Sequence, residues 1–294
     1  MMGGKSRATD LFVEHRNLLF TVAYEMLGSA ADAEDVLQEA WLRWVKVDLD
    51  EVRDERAYLV RVTTRLAIDR MRSNARRRES YVGPWLPEPL LTTPDVAEDV
   101  ELADSVSLAM LTLLETLGPT ERAVFVLREV FGFEYDEIAA SVDKTPAAVR
   151  QIAHRARAHV AERRPRAEAS QVERDRVLEQ FVRAASTGDI QSLMDVLAPD
   201  VVLVTDGGGL KKAALRPILG AEKVVRFLAA VSEGLDAAAD VVVVNGAPAL
   251  RVVIDGEIDT IASMVVEDGL VTGLYVVRNP EKLARLDAVT ALTR

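Results

Sequence analysis

The chain has 294 residues, of which 49% are hydrophobic and 28% charged, and it contains no cysteine. This length predicts two domains with cores of their own, the composition excludes a disordered or membrane-embedded chain, and the lack of cysteine excludes disulfides, thiol nucleophiles and Cys-ligated metal sites. The net charge of -11 argues on average against a nucleic-acid binder, but the basic stretches all lie before about residue 166, so the average misleads.

The N-terminal segment shows neither the apolar core of a signal peptide nor a membrane-spanning run, so we expect a cytoplasmic protein with no membrane partner. Residues 10–78 then read as three helices. The first ends at Gly28, and Ser29 followed by Asp32 predicts a capping box for the second. The polar side of that second helix carries Asp32, Asp35, Gln38 and Glu39.

The third helix, from about Arg56 to Arg78, alternates an apolar face with a basic one at spacings of three and four residues. Its polar face carries Arg61, Arg65, Asp69, Arg70, Arg72, Ser73, Asn74, Arg76, Arg77 and Arg78. Such a face suits single-stranded nucleic acid, with Asp69, Ser73 and Asn74 available for hydrogen bonds to bases. A solvated basic surface explains the same pattern equally well.

Residues 81–105 change in character and predict a linker or an ordered strap. The run from Gly83 to Pro89 contains three prolines and excludes a regular helix. An acidic tether follows, made of Asp95, Glu98, Asp99, Glu101 and Asp104.

Helices are predicted again at Val106–Leu117, after Pro119, at Tyr135–Val142 and at Pro146–Arg164. The last two flank a three-residue turn ending at Thr145, which supplies a capping hydroxyl, and this geometry is typical of a helix-turn-helix. The turn and the outward face of the last helix carry Lys144, Thr145, Arg150, Gln151, His154, Arg155 and Arg157. Arginine and glutamine make bidentate contacts to base edges, so this face favours DNA reading over a solvated helical hairpin.

A second linker containing Pro165 leads into a part of mixed character. Ser170 with Glu173 predicts a capped helix ending at Gly188, and Asp189 opens a short second helix. No strand is predicted before residue 200. Beyond it, five β-branched runs are separated by a helix at about Gly220 to Ser232 and by three hairpin dipeptides, Asn245-Gly246, Asp255-Gly256 and Asp268-Gly269. This order predicts an α+β domain with a curved sheet wrapped on helices.

The C-terminal part offers little for catalysis. No histidine follows residue 159, which excludes a Ser-His-Asp triad there, and no metal or other cofactor is predicted. Asp259 and Ser263 share a strand face that points either into a cavity or to solvent, and both alternatives stay open. The glycine-rich run from Asp206 to Lys211 lacks a P-loop ending and predicts a flexible or tightly turning loop.

The stretch Asp32-Ala33-Glu34-Asp35-Val36-Leu37-Gln38-Glu39-Ala40-Trp41, the arginine-rich helix, the acidic tether and the helix-turn-helix resemble, in this order, a bacterial extracytoplasmic-function sigma factor. The strap and residues 171–294 resemble the SigJ-type subgroup, which carries a SnoaL-like C-terminal domain. The resemblance implies all-α sigma region 2 at residues 8–80, a linker at 81–105, an all-α region 4 at 106–165 and a cone-shaped α+β domain at 171–294.

The resemblance also implies partners and roles. Core RNA polymerase would be bound through its β′ clamp helices and β flap, with Asp32, Asp35, Gln38, Glu39 and Trp41 on the clamp. Promoter DNA would be bound at the -10 element by the residues from Arg61 to Arg76, and at the -35 element by the residues from Lys144 to Arg157. No catalytic residue is then expected in the chain.

In the subgroup, the C-terminal domain acts as a fused regulator that packs on the sigma domains. The implied interdomain residues are Trp85, Pro87, Asp206, Gly207, Gly208, Lys211, Asn279 and Pro280, although Leu210 interrupts the subgroup's loop before Lys211. Two alternatives remain: a helix-turn-helix repressor fused to such a domain, and an enzyme or sensor in which the cone holds a small apolar ligand or Asp206, Asp259 or Arg251 takes part in catalysis.

Overall fold

The computed structural model describes residues 2–93, 96, 99–163, 169–232, 237–286 and 288–294, with the side chains of residues 2–5, 77, 100 and 186 left out. Five predicted features lie outside the described residues. They are the tether acids Asp95 and Glu98, the side chain of Arg77, the predicted helix end Arg164 and the linker proline Pro165.

Three long helices form the first part: α1 (Met2–Leu27), α2 (Ala30–Trp44) and α3 (Glu55–Glu79). Helix α1 begins earlier than its apolar periodicity predicts. The capping box at Ser29 is only half formed, because Ser29 Oγ accepts the Asp32 N–H at 3.2 Å while the Asp32 carboxylate accepts from Asn74 on α3. The predicted capping acid therefore joins α2 to α3.

Five helical segments form the second part: α4 (Val100–Val106), α5 (Leu108–Leu114), α6 (Pro119–Phe125), α7 (Tyr135–Val142) and α8 (Pro146–Ala161). The predicted helix Val106–Leu117 corresponds to α5, which begins two residues later than predicted, and α4 before it was not predicted. Ser107 adopts an extended ψ of 146° and its Oγ caps α5 by accepting the Met110 N–H, so it ends one helix and starts the next. A single π-helical turn, Val126–Val130, continues α6 and was not predicted.

The C-terminal part has helices α9 (Gln171–Thr187), α10 (Ile190–Val196), α11 (Ala221–Ser232) and α12 (Pro280–Leu283). Its strands are β1 (Leu197–Asp206), β2 (Ile218–Leu219), β3 (Ala238–Val244), β4 (Ala247–Ile254), β5 (Glu257–Glu267) and β6 (Leu270–Val277). They form one sheet in the order β2-β1-β6-β5-β4-β3, in which only the β1–β6 pair is parallel. The predicted α+β domain is confirmed, although β1 begins three residues before residue 200.

All three predicted hairpin turns are confirmed, and in each of them both central residues adopt the left-handed backbone conformation. Asn245, Asp255 and Asp268 have φ of 53°, 54° and 51°, and the glycine after each also has positive φ. Two such residues in succession define the type I′ turn, whose twist matches that of the strands it joins. These turns fix the register of β3 to β6.

The hydrophobic cores cross the predicted domain boundaries. Both helical parts share one buried cluster, which also contains Leu292 near the C-terminus. A second cluster of the C-terminal part takes in Leu86 and Leu108 from the helical side, beside Val244 and Ile261. The three parts therefore pack as one body. Among the described residues, no helix is both long and apolar enough to cross a bilayer.

Candidate nucleic-acid interface and interdomain strap

Helix α8 presents an open basic face. Thr145 caps it by accepting the Ala148 N–H at 3.2 Å, and Val149, Ala153, Ala156 and Val160 are buried beneath it. The seven predicted contact residues, Lys144, Thr145, Arg150, Gln151, His154, Arg155 and Arg157, are all exposed.

Acidic neighbours orient two of these arginines. Arg157 Nη2 lies 2.7 Å from Glu129 Oε1, and Arg155 Nη2 lies 3.9 Å from Glu121 Oε1. Both pairs are exposed, so they cost little to exchange for phosphate or base contacts. The face can therefore bind a nucleic acid without refolding.

Helix α3 is only partly open. Arg61, Arg65, Asp69, Arg72, Ser73 and Arg76 are exposed or half-exposed. Asn74 is buried, and its Nδ2 donates to Asp32 Oδ2 at 2.7 Å, so its predicted availability to bases is wrong in this structure. Arg70 Nη2 donates to Asp35 Oδ2 at 2.6 Å. Two residues of the predicted -10 surface thus bind two residues of the predicted polymerase surface.

Arg65 joins α3 to the helix-turn-helix. Its Nη2 donates to Ala140 O at 2.9 Å and its Nε to Ser141 O at 3.3 Å, both in the last turn of α7. Carbonyls at a helix C-terminus lack helical partners and carry partial negative charge, which suits a guanidinium. A predicted DNA contact is therefore engaged in holding the two helical parts together.

The remaining polymerase-surface predictions lie along α2. Gln38 and Glu39 are exposed, and Glu39 pairs with Arg43 at 2.6 Å. Trp41 is half-buried, with its ring 5.2 Å from that of Phe12. This side of α2 offers an acidic surface with one accessible aromatic ring.

Residues 81–92, called here the strap, run between the helical parts and the C-terminal sheet. Asp206, at the end of β1, is fully buried. Its Oδ1 accepts from Tyr81 Oη at 2.7 Å, and its Oδ2 accepts from the Leu86 N–H at 2.8 Å and from Lys282 Nζ at 2.7 Å. One carboxylate thus joins two points of the strap to α12. Burial lowers the pKa of Lys282 to about 8, against the opposing effect of Asp206.

Trp85 lies between cations from both sides of the interface. Arg78 Cζ is 3.8 Å and Lys282 Nζ 4.0 Å from its ring centroid. Lys282 also donates to Leu86 O, and Arg78 also pairs with Glu115 on the helical side. Cation–π contacts at a desolvated site contribute about 2 kcal/mol or more. Trp85 therefore helps to hold the strap in place.

Glu88 continues the capping that Ser29 begins. Its Oε2 accepts from the Ala30 N–H at 2.8 Å and the Ala31 N–H at 3.3 Å, the first amides of α2. A carboxylate at a helix N-terminus satisfies free amides and is favoured by the helix dipole. Burial nevertheless raises the pKa of Glu88. The strap is thereby bonded to the helix that carries the acidic surface.

Asn245, at the β3–β4 turn, joins all three parts of the chain. It exchanges two hydrogen bonds with Leu90 of the strap, both 2.9 Å. Its Nδ2 donates to Tyr24 Oη on α1 at 2.6 Å and to Val106 O on α4 at 2.8 Å. A Cβ on the adjacent Gly246 would lie 2.7 Å from Ala103, so only glycine fits there. Sequence reasoning identified this pair as a turn and missed its role in the junction.

Among the predicted interdomain residues, Gly207, Gly208 and Asn279 lie where the loop after β1 contacts its neighbours. Gly207 and Gly208 allow close approach, since a Cβ on either would overlap Lys211 or Asn279, and Asn279 Nδ2 donates to Tyr81 Oη at 2.8 Å. Pro87 is buried in the strap and Pro280 is exposed at the start of α12.

Lys211 does not reach the strap, and its Nζ pairs with Asp259 at 3.0 Å. The lysine that binds Asp206 is Lys282, which lies in the Asn279-Pro280-Glu281-Lys282-Leu283 segment. The tight turn predicted at Asp206 to Lys211 is confirmed by positive φ at Gly208 and Gly209.

Asp206, Asp259 and Arg251, the candidates for catalysis, are engaged in structural contacts, whereas Ser263 Oγ is buried without a hydrogen-bond partner. Asp259 is buried between Lys211 and Arg278, and these contacts lower its pKa against the effect of burial. The solvent-facing alternative for Asp259 and Ser263 is wrong, because both are buried. Arg251 pairs with Asp240, with Nε 2.9 Å from Oδ1.

Glu25 on α1 is a buried carboxyl that sequence reasoning missed. Its Oε1 accepts from Ser105 Oγ on α4 at 2.9 Å, and its Oε2 has no partner. Arg122 on α6 is also buried and donates twice to the backbone oxygen of Glu25, at 3.0 and 2.8 Å. Burial raises the pKa of Glu25 to about 8, so the environment where the first and second helical parts meet disfavours the charged form of this carboxyl.

We expect the Glu25→Gln variant to lose less stability than the wild type as the pH rises from about 5 to 8. The pKa of this carboxyl is higher in the folded state than in the unfolded state. Its contribution to the free energy of unfolding is therefore fully present below the unfolded-state pKa and is lost as the pH rises to the folded-state pKa. The loss amounts to at most about 1.4 kcal/mol per pH unit. Urea unfolding at pH 6 and pH 8 measures this. Glu14→Gln, at an exposed position of α1, is the control. An unchanged difference between wild type and Glu25→Gln at the two pH values would refute the role of Glu25.

Two family models match the helical parts: Sigma-70 region 2 over residues 11–77 and Sigma-70 region 4 over residues 107–160. The ECF RNA polymerase sigma factor SigJ of Mycobacterium tuberculosis is 36% identical over 287 residues, covering 91% of this chain and 90% of that protein. The probable ECF RNA polymerase sigma factor SigI of the same species is 34% identical over 281 residues, covering 93% and 94%.

A solved structure matches across all three parts of the chain. It is the crystal structure of the Mycobacterium tuberculosis extracytoplasmic function sigma factor SigJ, with a TM-score of 0.76 and 33% identity, and the match covers 95% of this chain and 99% of that one. The likeness therefore extends to the C-terminal α+β domain as well as the two helical parts.

Proposed function

The chain belongs to the extracytoplasmic-function (ECF) RNA polymerase sigma factors, and on that premise we propose which of its surfaces bind polymerase and promoter and how its SnoaL-like C-terminal domain restrains them. It is an alternative sigma factor, which binds core RNA polymerase and promoter DNA and directs transcription initiation. We assign residues 8–80 to region 2, 81–105 to the linker, 106–165 to region 4 and 171–294 to a regulatory domain. The protein acts in the cytoplasm.

The -35 element is bound by the exposed face of α8. Arg150 and Gln151 are placed to contact base edges, and the surrounding cations, with Lys144 and Thr145 at the turn, contact phosphates. The support for this assignment is that all seven side chains are exposed while the opposite face of α8 is buried. The buried face fixes the helix, and the exposed face is left for DNA.

The -10 element is bound as a single strand along α3. Arg61, Asp69, Arg72, Ser73 and Arg76 are the accessible residues of that face, and Arg65 joins them once its bonds to α7 are broken. Asn74 and Arg70 position α2 relative to α3 through Asp32 and Asp35. Core polymerase is bound by the acidic side of α2, where Gln38, Glu39 and Trp41 complete the surface.

The structure represents a restrained form, and the observation that carries this proposal is the pair of bonds from Arg65 to the last turn of α7. While these bonds hold, Arg65 cannot contact the -10 strand. The strap, Asn245 and Asp206 keep the helical parts in this arrangement. Release of the strap from the C-terminal domain would free both Arg65 and region 4. The C-terminal domain therefore acts as a regulator of promoter access.

Arg150→Ala is expected to weaken promoter binding by the polymerase holoenzyme by about 1–3 kcal/mol, or roughly 5- to 150-fold, and to relax specificity at one base of the -35 element. Fluorescence anisotropy on a labelled promoter, with each base of that element varied in turn, measures both effects. Arg226→Ala, at an exposed position of α11, is the control and is expected to bind like wild type. Equal promoter binding by the two variants would contradict the assignment of α8 to the -35 element.

A further inference from the structure

A cavity of about 330 Å³ opens where α3, the strap and the α5–α6 segment meet. Its apolar wall is made of Met71, Ala75, Leu117 and Pro119, and Trp85 of the strap lies at its edge. The volume is at the lower end of those of ligand sites in proteins, which are mostly apolar with a few polar groups. We call this cavity the hinge pocket, because each of its three walls comes from a different part of the chain.

The polar wall of the hinge pocket is short of negative charge. It contains Arg78 and Arg122 but only one carboxylate, Glu115, which pairs with both. Arg122 is only 2% exposed. Burial lowers the pKa of Arg78 to about 10, an effect to which the charge of Arg122 adds, and burial lowers the pKa of Arg122 to about 9.

Two other acidic side chains lie near these arginines, and neither carboxylate pairs with them. Asp32, whose charge raises the pKa of Arg78, accepts instead from Asn74. Glu25 contacts Arg122 through its backbone oxygen, and its carboxyl accepts from Ser105 instead. Burial raises the pKa of Glu25, which disfavours the charged form of that carboxyl. An additional anion in the hinge pocket would therefore meet an excess of positive charge.

We propose that the hinge pocket binds a small planar aromatic carboxylate. The carboxylate would lie beside Arg78 and Arg122, where charge-assisted hydrogen bonds from guanidinium groups are strong and directional. The ring would contact Met71, Leu117 and Trp85, since methionine sulfur and aromatic rings favour such neighbours. This places a ligand site between the domains, whereas the sequence predicted a ligand, if any, inside the cone.

Ligand binding here would stabilise the restrained form, because all three walls exist together only when the strap is docked. This consequence rests on the proposed function, but the binding site itself does not. Binding can be measured on the full chain without polymerase or DNA, so the two ideas can fail separately.

The test is isothermal titration of the full chain with 2-naphthoate and with its neutral analogue 2-naphthamide, together with thermal unfolding. We expect saturable 1:1 binding of 2-naphthoate that raises the unfolding temperature, and about tenfold weaker binding of the amide. Ala75→Phe, at an exposed position of α3, is expected to fill the pocket and abolish binding. Ala158→Phe, at an exposed position of α8, is the matched control and is expected to bind as wild type does.

Three results would overturn the site: no saturable binding of 2-naphthoate, equal affinity for the amide, or unchanged binding by Ala75→Phe. A fourth result separates the two ideas. If 2-naphthoate binds as expected but leaves transcription by the full chain unchanged, the ligand site stands and the coupling of strap docking to promoter access is wrong.

Discussion

In the Asp206→Ala variant, the amides of Leu90 and Thr92 are expected to exchange with solvent roughly a hundredfold faster than in the wild type. The substitution removes the acceptor of the Leu86 N–H and Tyr81 Oη and leaves Lys282 buried without its anion. Breaking a buried ion pair from one side costs about 3–5 kcal/mol. The two reporter amides do not contact Asp206, since they donate to Asn245 and Val243, so their faster exchange would report release of the whole strap.

Asp259→Ala is the matched control for this prediction. Asp259 is also a buried carboxylate of the sheet, and it pairs with two cations but makes no described contact to the strap. It is expected to destabilise the C-terminal domain and leave exchange of the Leu90 and Thr92 amides close to that of the wild type. Equal acceleration in the two variants would mean that Asp206 stabilises the domain without specifically holding the strap.

Asn245→Ala is expected to lower the free energy of unfolding of the full chain by about 3–5 kcal/mol. The variant loses the acceptor of the Leu90 N–H and the donor to Tyr24 Oη and Val106 O, all of them buried. It must also keep a positive φ without the side chain that tolerates it. Urea unfolding measures the loss, and promoter-dependent transcription should rise as the junction weakens.

Asp255→Ala separates the cost of backbone strain from that of the junction. Asp255 has a φ of 54° at the equivalent position of the β4–β5 turn and is exposed, so its replacement should cost only about 1 kcal/mol. If the two alanine variants lost equal stability, Asn245 would be no more than a turn residue.

Sequence reasoning was most accurate where the determinants are local. The three hairpin dipeptides specify their own φ angles, and Ser170, Asp189 and Thr145 cap helices within three residues of themselves. Such contacts depend only on neighbours in the chain. The same logic could have located the α4–α5 break, because Ser107 is a capping residue at the start of the predicted helix.

The contacts that join the domains depend on distant residues and could not be predicted in this way. Glu88 caps α2 from 58 residues away, and Asn245 bonds Tyr24 across 221 residues. The sequence analysis singled out neither Glu25 nor Arg122, yet both are buried where α1 and α6 meet. The resemblance to the SigJ-type subgroup implied that Asp206 and Trp85 both lie at the interdomain contact. It also implied a role there for Lys211, whereas Lys282 is the lysine that binds Asp206 and Lys211 binds Asp259.

Multi-round transcription by bacterial core RNA polymerase on a promoter library tests the account most directly, with wild type, Asp206→Ala and Asp259→Ala compared as full chains. The account predicts that the wild type initiates at promoters where core polymerase alone does not. It also predicts that Asp206→Ala initiates more strongly at those same promoters, while Asp259→Ala does not. Weaker initiation by Asp206→Ala would contradict the restraint by the C-terminal domain, and no initiation by any of the three chains would contradict the assigned sigma surfaces.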